Sequence, residues 1–262
     1  MRVRTDGAAP GPESEVEEIR DPFAGSGADA WSRAHEGRVE GGLSGPLGRF
    51  ALVAPVHARK VIGVGRNYRA HAQELGNEVP SRPLLFLKAA TCLVACGAPI
   101  VLPRGYERID MEAELVVVIG RMARGVTAAS ALKHVCGYCL GNDVSNRDLQ
   151  RQDSQWTRAK GFDTSGPLGP FVRLCEPGAL LPMEGMRIRG YLNDELVQDG
   201  RVGDMLFDIP TLVAHISETM TLEPGDLIYT GTPAGVAALQ PGAFVRIEMR
   251  GFELGTLTNP VV

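Results

Sequence analysis

At 262 residues, with 44% hydrophobic and 22% charged side chains, the chain is long enough for one large domain carrying a small appendage, and its apolar runs fall far short of the roughly 18 residues of a membrane-spanning helix. A formal net charge of −4 without Lys/Arg clusters leaves no electrostatic footprint for nucleic acid or for a membrane surface, so the expected partner is a small molecule or a second copy of the chain. Met1 is followed by Arg-Val-Arg-Thr-Asp and a polar, Gly-rich stretch, not the apolar core of a secretory signal, which predicts a cytoplasmic protein.

The first 50 residues are rich in Gly, Ala, Pro, Ser and acidic side chains and weakly periodic, whereas the chain from about residue 59 is strongly patterned. This predicts a small N-terminal domain over 1–58 and a main domain over 59–262. Residues 61–65 read as a buried strand ending in a Gly turn, 68–75 as a short helix stopped by Gly76, and 84–87 as a second buried strand. Between 111 and 120 the alternation is clean, with Ala113, Leu115, Val117 and Ile119 on one face and Glu112 and Glu114 on the other. Thr127 is placed to cap a helix reaching about residue 134, and 135–141 reads as a strand delivering Asn142 and Asp143 at its end. Residues 186–198 predict a hairpin turning at Asn193-Asp194. Pro210 opens a helix with the stripe Leu212, Val213, Ile216 and Met220, and 226–230 and 244–249 are further strands. Strands outnumber helices and do not alternate with them, which predicts an α+β domain, mainly β, built from curved antiparallel sheet, and excludes a doubly wound parallel one.

Two carboxylates at i and i+2 on one strand face stand roughly 6–7 Å apart. One hard cation, Mg²⁺ or Mn²⁺, bridges such a pair, and Asp143 at the end of another strand is the natural third ligand. Taken alone, the Glu112/Glu114 pair reads more readily as the solvated face of an edge strand. Cys136 and Cys139 have the C-x2-C form of half a zinc site, but no second Cys/His pair lies near them, and they read as structural thiols.

The surrounding text narrows this. Gly63-Val64-Gly65-Arg66-Asn67-Tyr68-Arg69-Ala70-His71, Leu85-Phe86-Leu87-Lys88, Met111-Glu112-Ala113-Glu114-Leu115, the run 141–150, Trp156-Thr157-Arg158-Ala159-Lys160, Pro167-Leu168-Gly169-Pro170 and Thr230-Gly231-Thr232-Pro233 occur in an order and spacing that resembles the fumarylacetoacetate hydrolase family over about residues 58–262. The resemblance implies packed β-sheets arranged as a roll, often behind a small N-terminal domain, and usually a homodimer. It implies Mg²⁺ or Mn²⁺ held by Glu112, Glu114 and Asp143. The namesake enzyme has a fourth aspartate ligand at about the place of Val64, so this chain is similar to the three-carboxylate branch, which handles acylpyruvates, oxaloacetate and ring-cleavage products.

By the same resemblance, Glu74 orients His71 as a general base, and Lys160 and Gln150 face the substrate. Arg147 suits a substrate carboxylate or a salt bridge. Gly231 and Thr232 offer an N–H and a hydroxyl to the carboxylate end, or form a plain turn. His35, His57, His134 and His215 match no family motif. Ser165-Gly166 replaces a bulkier pair and Ser154 an aromatic hydroxyl, so fumarylacetoacetate itself is not carried over as substrate. The expected function is metal-dependent hydrolysis of a C–C bond in a 1,3-dioxo acid of the acylpyruvate type, with isomerisation of a 2-hydroxy-dienoate or decarboxylation of oxaloacetate as the alternative and non-catalytic metal binding as a third reading. Residues 66–83, which carry His71 and Glu74, are expected to act as a lid over the bound 2-oxo acid.

Overall fold

A computed structural model describes residues 2–3, 10–17, 22–23, 33–34, 39, 44–47 and 52–262. The expected N-terminal domain, 1–58, falls mostly outside these residues. Three short strands from it, Arg2–Val3, Glu15–Glu17 and Ser44–Pro46, pair antiparallel.

The main sheet has seven strands: β1 (Val61–Gly65), β2 (Leu84–Lys88), β3 (Leu93–Ala95), β4 (Ala113–Ile119), β5 (Val135–Asn142), β6 (Gly166–Leu174) and β7 (Leu227–Tyr229), in the spatial order β2-β1-β7-β4-β5-β6-β3. Most neighbours are antiparallel, but β1 with β7 and β3 with β6 run parallel. A four-stranded antiparallel sheet (Glu195–Arg201, Arg187–Leu192, Phe244–Arg250, Thr256–Pro260) lies beside it. The contact is close: a Cβ on Gly190 would lie 2.9 Å from the methyl carbon of Met111 and 3.2 Å from Ala113. The domain is mainly β with few short helices, as the patterning predicts.

Strand β4 is buried on both sides. Ala113, Leu115, Val117 and Ile119 enter one apolar cluster with Ile188, Ile247 and Leu257, while Val116 and Val118 enter another with Val61, Leu168, Leu227 and Tyr229. The face that begins with Glu112 and Glu114 is therefore an interior face, which removes the solvated-edge alternative for the acidic pair. Cys136 and Cys139 are buried, both in the second cluster.

Among the described residues of the main domain, the helices are α1 (Arg69–Glu74), α2 (Arg147–Gln152), α3 (Thr157–Lys160) and α4 (Ile209–Thr219), with a further one-turn α-helix at Ala128–Ala131. Helix α4 follows its pattern closely. Asp208 caps it by accepting from the Thr211 N–H at 2.9 Å, and Leu212, Val213 and Ile216 are buried. The hairpin turns at Asn193 and Asp194, both with positive φ, the backbone of a tight two-residue turn. The helix expected to reach about residue 134 is present as one α-helical turn (Ala128–Ala131) continued by a 3₁₀ turn (Leu132–His134); only the cap differs, since the Thr127 hydroxyl meets Ser130 at 3.1 Å and caps no N–H. Strand β6 and helices α2 and α3 are unforeseen, because Gly166-Pro167 and Gly169-Pro170 read locally as turn chemistry and α2 and α3 are only six and four residues long.

Candidate active site

The register of β4 on β5 builds the acidic cluster. Ala113 pairs with Asn142 and Glu114 with Gly141, and one step further the Asp143 N–H donates to the Glu112 carbonyl at 2.9 Å. Asn142 reaches back to accept the Glu112 N–H at 2.9 Å. Glu112 and Asp143 thus face each other across two strands, two residues from Glu114 on the same face. Carboxylate oxygens of all three lie within 4.8 Å of one another, and all three side chains are buried.

Buried charge at this density demands compensation. The Lys160 ammonium lies 2.6 Å from Glu112 Oε2 and 2.7 Å from Asp143 Oδ2. Arg147 donates to Glu112 Oε1 at 2.5 Å, to Asp110 Oδ2 at 2.8 Å and to Gln150 Oε1 at 2.8 Å. Burial alone would raise the Glu112 carboxyl, but Lys160, then Arg147 and His71, hold it well below the usual range. Lys160 is similarly disfavoured by burial, yet Asp143 and Glu112 keep it a cation. Among the described residues, Glu114 has no such cation bonded to it. Burial, then the charges of Asp143 and Glu112, push it well above the ordinary range, against Lys160 and the Gly231 N–H. An all-oxygen donor set in which one carboxyl, Glu114, lacks a bonded cation and is ionised only at a cost is what a hard divalent ion stabilises, so the residues present fit Mg²⁺ or Mn²⁺.

His71, on α1, is 5% exposed, with Nε2 3.7 Å from Glu112 Oε1 and Nδ1 3.4 Å from Glu74 Oε2. With the proton on Nδ1, the ring donates to Glu74 and turns the Nε2 lone pair toward the cluster. Burial lowers the imidazole pKa; Glu112 raises it, and Arg147 and Lys160 lower it again. The net depression favours the neutral base. Glu74 is itself anchored, accepting the Gly235 N–H at 2.9 Å. Within the segment expected to be a lid, α1 is formed and places His71 beside Glu112. A cavity of about 230 Å³ opens here, lined by His71, Gln150, Lys160 and the three carboxylates among others.

Two expected substrate contacts are turned toward the protein. The Gly231 N–H donates to Glu114 Oε2 at 2.7 Å, so it orients a carboxylate of the cluster. The Thr232 hydroxyl donates to the Ala113 carbonyl at 2.9 Å and accepts from Gln198 at 2.7 Å, bracing β4. Arg147 is no surface salt bridge: its guanidinium is buried among Asp110, Glu112 and Gln150.

The sequence of residues 60–262 matches the Fumarylacetoacetate (FAA) hydrolase C-terminal family. The chain belongs to the fumarylacetoacetate hydrolase family. Protein Rv2993c of Mycobacterium tuberculosis is 45% identical over 221 residues, 84% of this chain and 82% of its own. The mitochondrial oxaloacetate decarboxylase of Dictyostelium discoideum is 38% identical, over 74% of this chain and 90% of its own. In the crystal structure of 5-carboxymethyl-2-hydroxymuconate delta-isomerase from Mycobacterium smegmatis, 40% identical, the fold superposes with a TM-score of 0.81, covering 100% of this chain and 92% of the other. The chain is thus an enzyme of this family.

Within this fumarylacetoacetate hydrolase fold, two charged residues at the site were given no role by the sequence reading, although Lys88 closes one of its motifs. Asp110 continues the alternation of Glu112 and Glu114 by one step, and that period-2 signal was sufficient to find it. Lys88 ends the buried run of β2, and its ammonium donates to Asp143 Oδ1 at 2.6 Å, to the Ser165 carbonyl at 3.1 Å and to the Lys160 carbonyl. A lysine closing an apolar strand is a weak signal, and only the tertiary structure reveals its partners. Among the described residues, no helix is long and apolar enough to cross a membrane.

Proposed function

We propose that this fumarylacetoacetate hydrolase family enzyme hydrolyses a C–C bond in a small 1,3-dioxo acid of the acylpyruvate type, with Mg²⁺ or Mn²⁺ held by Glu112, Glu114 and Asp143. The observation that carries the reading is the His71 ring, with Nδ1 3.4 Å from Glu74 and Nε2 3.7 Å from Glu112 of a buried three-carboxylate cluster. Once bound, the divalent ion supplies Lewis-acid stabilisation of negative charge developing on the 2-oxo acid oxygens.

The chain's own residues supply the rest. His71 Nε2 takes a proton from water, which attacks the acyl carbonyl; the bond between C3 and C4 breaks, an acid departs, and the pyruvate enolate is protonated at C3. Lys160 contributes positive charge fixed before reaction, so little reorganisation is needed as the enolate forms. With its Oε1 accepting from Arg147, Gln150 has its amide N–H groups as donors for a substrate oxygen or for the water. Arg147 acts by holding Glu112 and Gln150 in register.

A second reading is supported by the relatives named as an oxaloacetate decarboxylase and a hydroxymuconate isomerase. Both reactions pass through an enol or enolate of a 2-oxo acid, for which the same residues suffice. Assaying acetylpyruvate, oxaloacetate and a hydroxymuconate side by side with added Mg²⁺ or Mn²⁺ tests the choice. Metal-dependent release of acetate and pyruvate is the expected result; turnover of the other two alone would replace hydrolysis by the second reading. A homodimer, on the resemblance alone, and a cytoplasmic setting, on the polar N-terminal sequence, belong to the same proposal, and light scattering giving the mass of a single chain would remove the dimer.

A further inference from the structure

Arg66 sits in the turn between β1 and α1 with φ +56°, a conformation uncommon for a residue bearing a side chain. The turn is clamped on both sides. Asn67 donates to the carbonyls of Phe207 at 3.0 Å and Thr230 at 2.7 Å and accepts the Phe207 N–H at 2.8 Å. Gly65 lies flat against Trp156, where a Cβ would meet a ring carbon at 2.7 Å. The rigid turn therefore holds Arg66 in a strained backbone state, and the same turn sets where its side chain goes.

The guanidinium is carried over the Trp156 ring, 5.8 Å from its centroid, and the side chain lines the cavity that holds His71 and the carboxylates. Its charge differs in kind from the other cations there. Lys160 and Arg147 each meet carboxylates of the cluster, and Arg151 meets Asp148. Arg66 has neither an acidic partner nor a hydrogen-bond acceptor among the described residues, and its Nε is buried without one. A buried donor left unpaired is unfavourable, and such atoms at a cavity wall point to an acceptor brought by a ligand.

The position of that acceptor follows from the aromatic pair between the two cations. Lys160 Nζ lies 5.1 Å from the Phe86 centroid, Phe86 packs edge-on to Trp156 at 5.6 Å, and Arg66 covers Trp156. Lys160 thus marks the reacting end beside Glu112 and Asp143, and Arg66 marks a second anionic position across an apolar wall. We propose that Arg66 binds a second, distal carboxylate of the substrate, making the site selective for dicarboxylic 2-oxo acids over monocarboxylic ones of the same length. This rests on the reading that the carboxylate cluster takes the 2-oxo acid end.

The test is calorimetric titration of the full chain, supplemented with Mn²⁺, with 2-oxoadipate and with 2-oxohexanoate, which share a six-carbon skeleton and differ by a terminal carboxylate against a methyl. The wild type is expected to bind the diacid about tenfold to a hundredfold more tightly, the range of one hydrogen bond to a charged group. Arg66→Gln removes that preference and leaves 2-oxohexanoate binding unchanged, while Arg66→Lys keeps part of it. Should Arg66→Gln not fold, Arg66→Asn tolerates the positive φ and makes the same comparison. Equal binding of the two acids by the wild type, an equal loss for both in the variant, or no binding of either overturns the proposal. Selectivity that depends on Arg66 without turnover of any candidate would sink the proposed reaction and spare this inference; acetylpyruvate hydrolysis with selectivity indifferent to Arg66 would do the reverse.

Discussion

The Lys88 ammonium lies 2.6 Å from Asp143 Oδ1, and both side chains are sealed from solvent. Lys88 binds one oxygen of Asp143 and Lys160 the other, at 2.7 Å, so the carboxylate is fixed in rotation before any ligand arrives. Removing one member of a buried pair typically costs about 3–5 kcal/mol, because the charge left behind has no partner. Because Asp143 keeps Lys160, Lys88→Met is expected to lose stability at the low end of that range or below it, measured by denaturant unfolding without divalent metal. Added Mn²⁺ should restore part of the loss, since a cation at the cluster compensates the carboxylate oxygen that Lys88 no longer meets. A deficit that Mn²⁺ leaves untouched would place the metal away from Asp143.

His71→Ala should lower acylpyruvate hydrolysis by about 10²–10⁴-fold, the usual contribution of a general base, with Mn²⁺ affinity unchanged. Glu74→Gln should give a smaller loss in the same direction, because Gln still accepts from the Gly235 N–H but no longer supports the ring with a charge. Oxaloacetate decarboxylation breaks its bond without an activated water and should be less sensitive to His71→Ala. Steady-state kinetics on both substrates checks this, and equal losses would make His71 a proton shuttle common to the two reactions.

Millimolar Mg²⁺ or Mn²⁺ should raise the melting temperature, and EDTA should reverse the rise. A ligand at a hundred times its dissociation constant stabilises by about 2.7 kcal/mol. Glu114→Gln should abolish most of the shift while keeping the Gly231 N–H contact through the amide oxygen. A shift that survives in Glu114→Gln, monitored by differential scanning fluorimetry, would contradict the assigned ligand set.

Away from the site, Lys60 bonds Asp226 at 2.8 Å and Glu223 at 3.2 Å, with its own side chain 26% exposed. Burial works against the ammonium, but the two carboxylates raise the pKa above its ordinary 10.5. The folded state then binds this proton more tightly than the unfolded chain does. Its stabilising contribution is fully present below about pH 10.5 and is lost as pH rises through the higher folded value. The gap in melting temperature between wild type and Lys60→Gln should be constant from neutral pH to about pH 9.5 and narrow above it. A gap that is flat throughout would show that the ion pair contributes nothing.

The local code determined a good deal by itself. Period-2 alternation placed Glu112 and Glu114 on one face of a strand, Pro210 opened α4, and ordered motifs identified the family together with the spacing of Glu112, Glu114 and Asp143. These are properties of adjacent residues, where side-chain direction follows from backbone geometry alone. Which face was interior was not among them, because burial of β4 on both sides depends on a second sheet closing over Met111 and Ala113. The alignment of Asp143 opposite Glu112 needed the β4–β5 register, since a slip of one residue would have turned Asp143 to the other face. The same holds for the cations. Lys88, Arg147 and Lys160 come from three separate elements, and long flexible side chains carry no directional signal in sequence. What decided their partners was the desolvation of four neighbouring acids, Asp110, Glu112, Glu114 and Asp143, which a buried site tolerates only when positive charge or protons offset it. The Gly231 N–H and the Thr232 hydroxyl went to the protein and not to substrate for a related reason. Packed polar atoms take the nearest partner, and that partner is known only once the strands are in place.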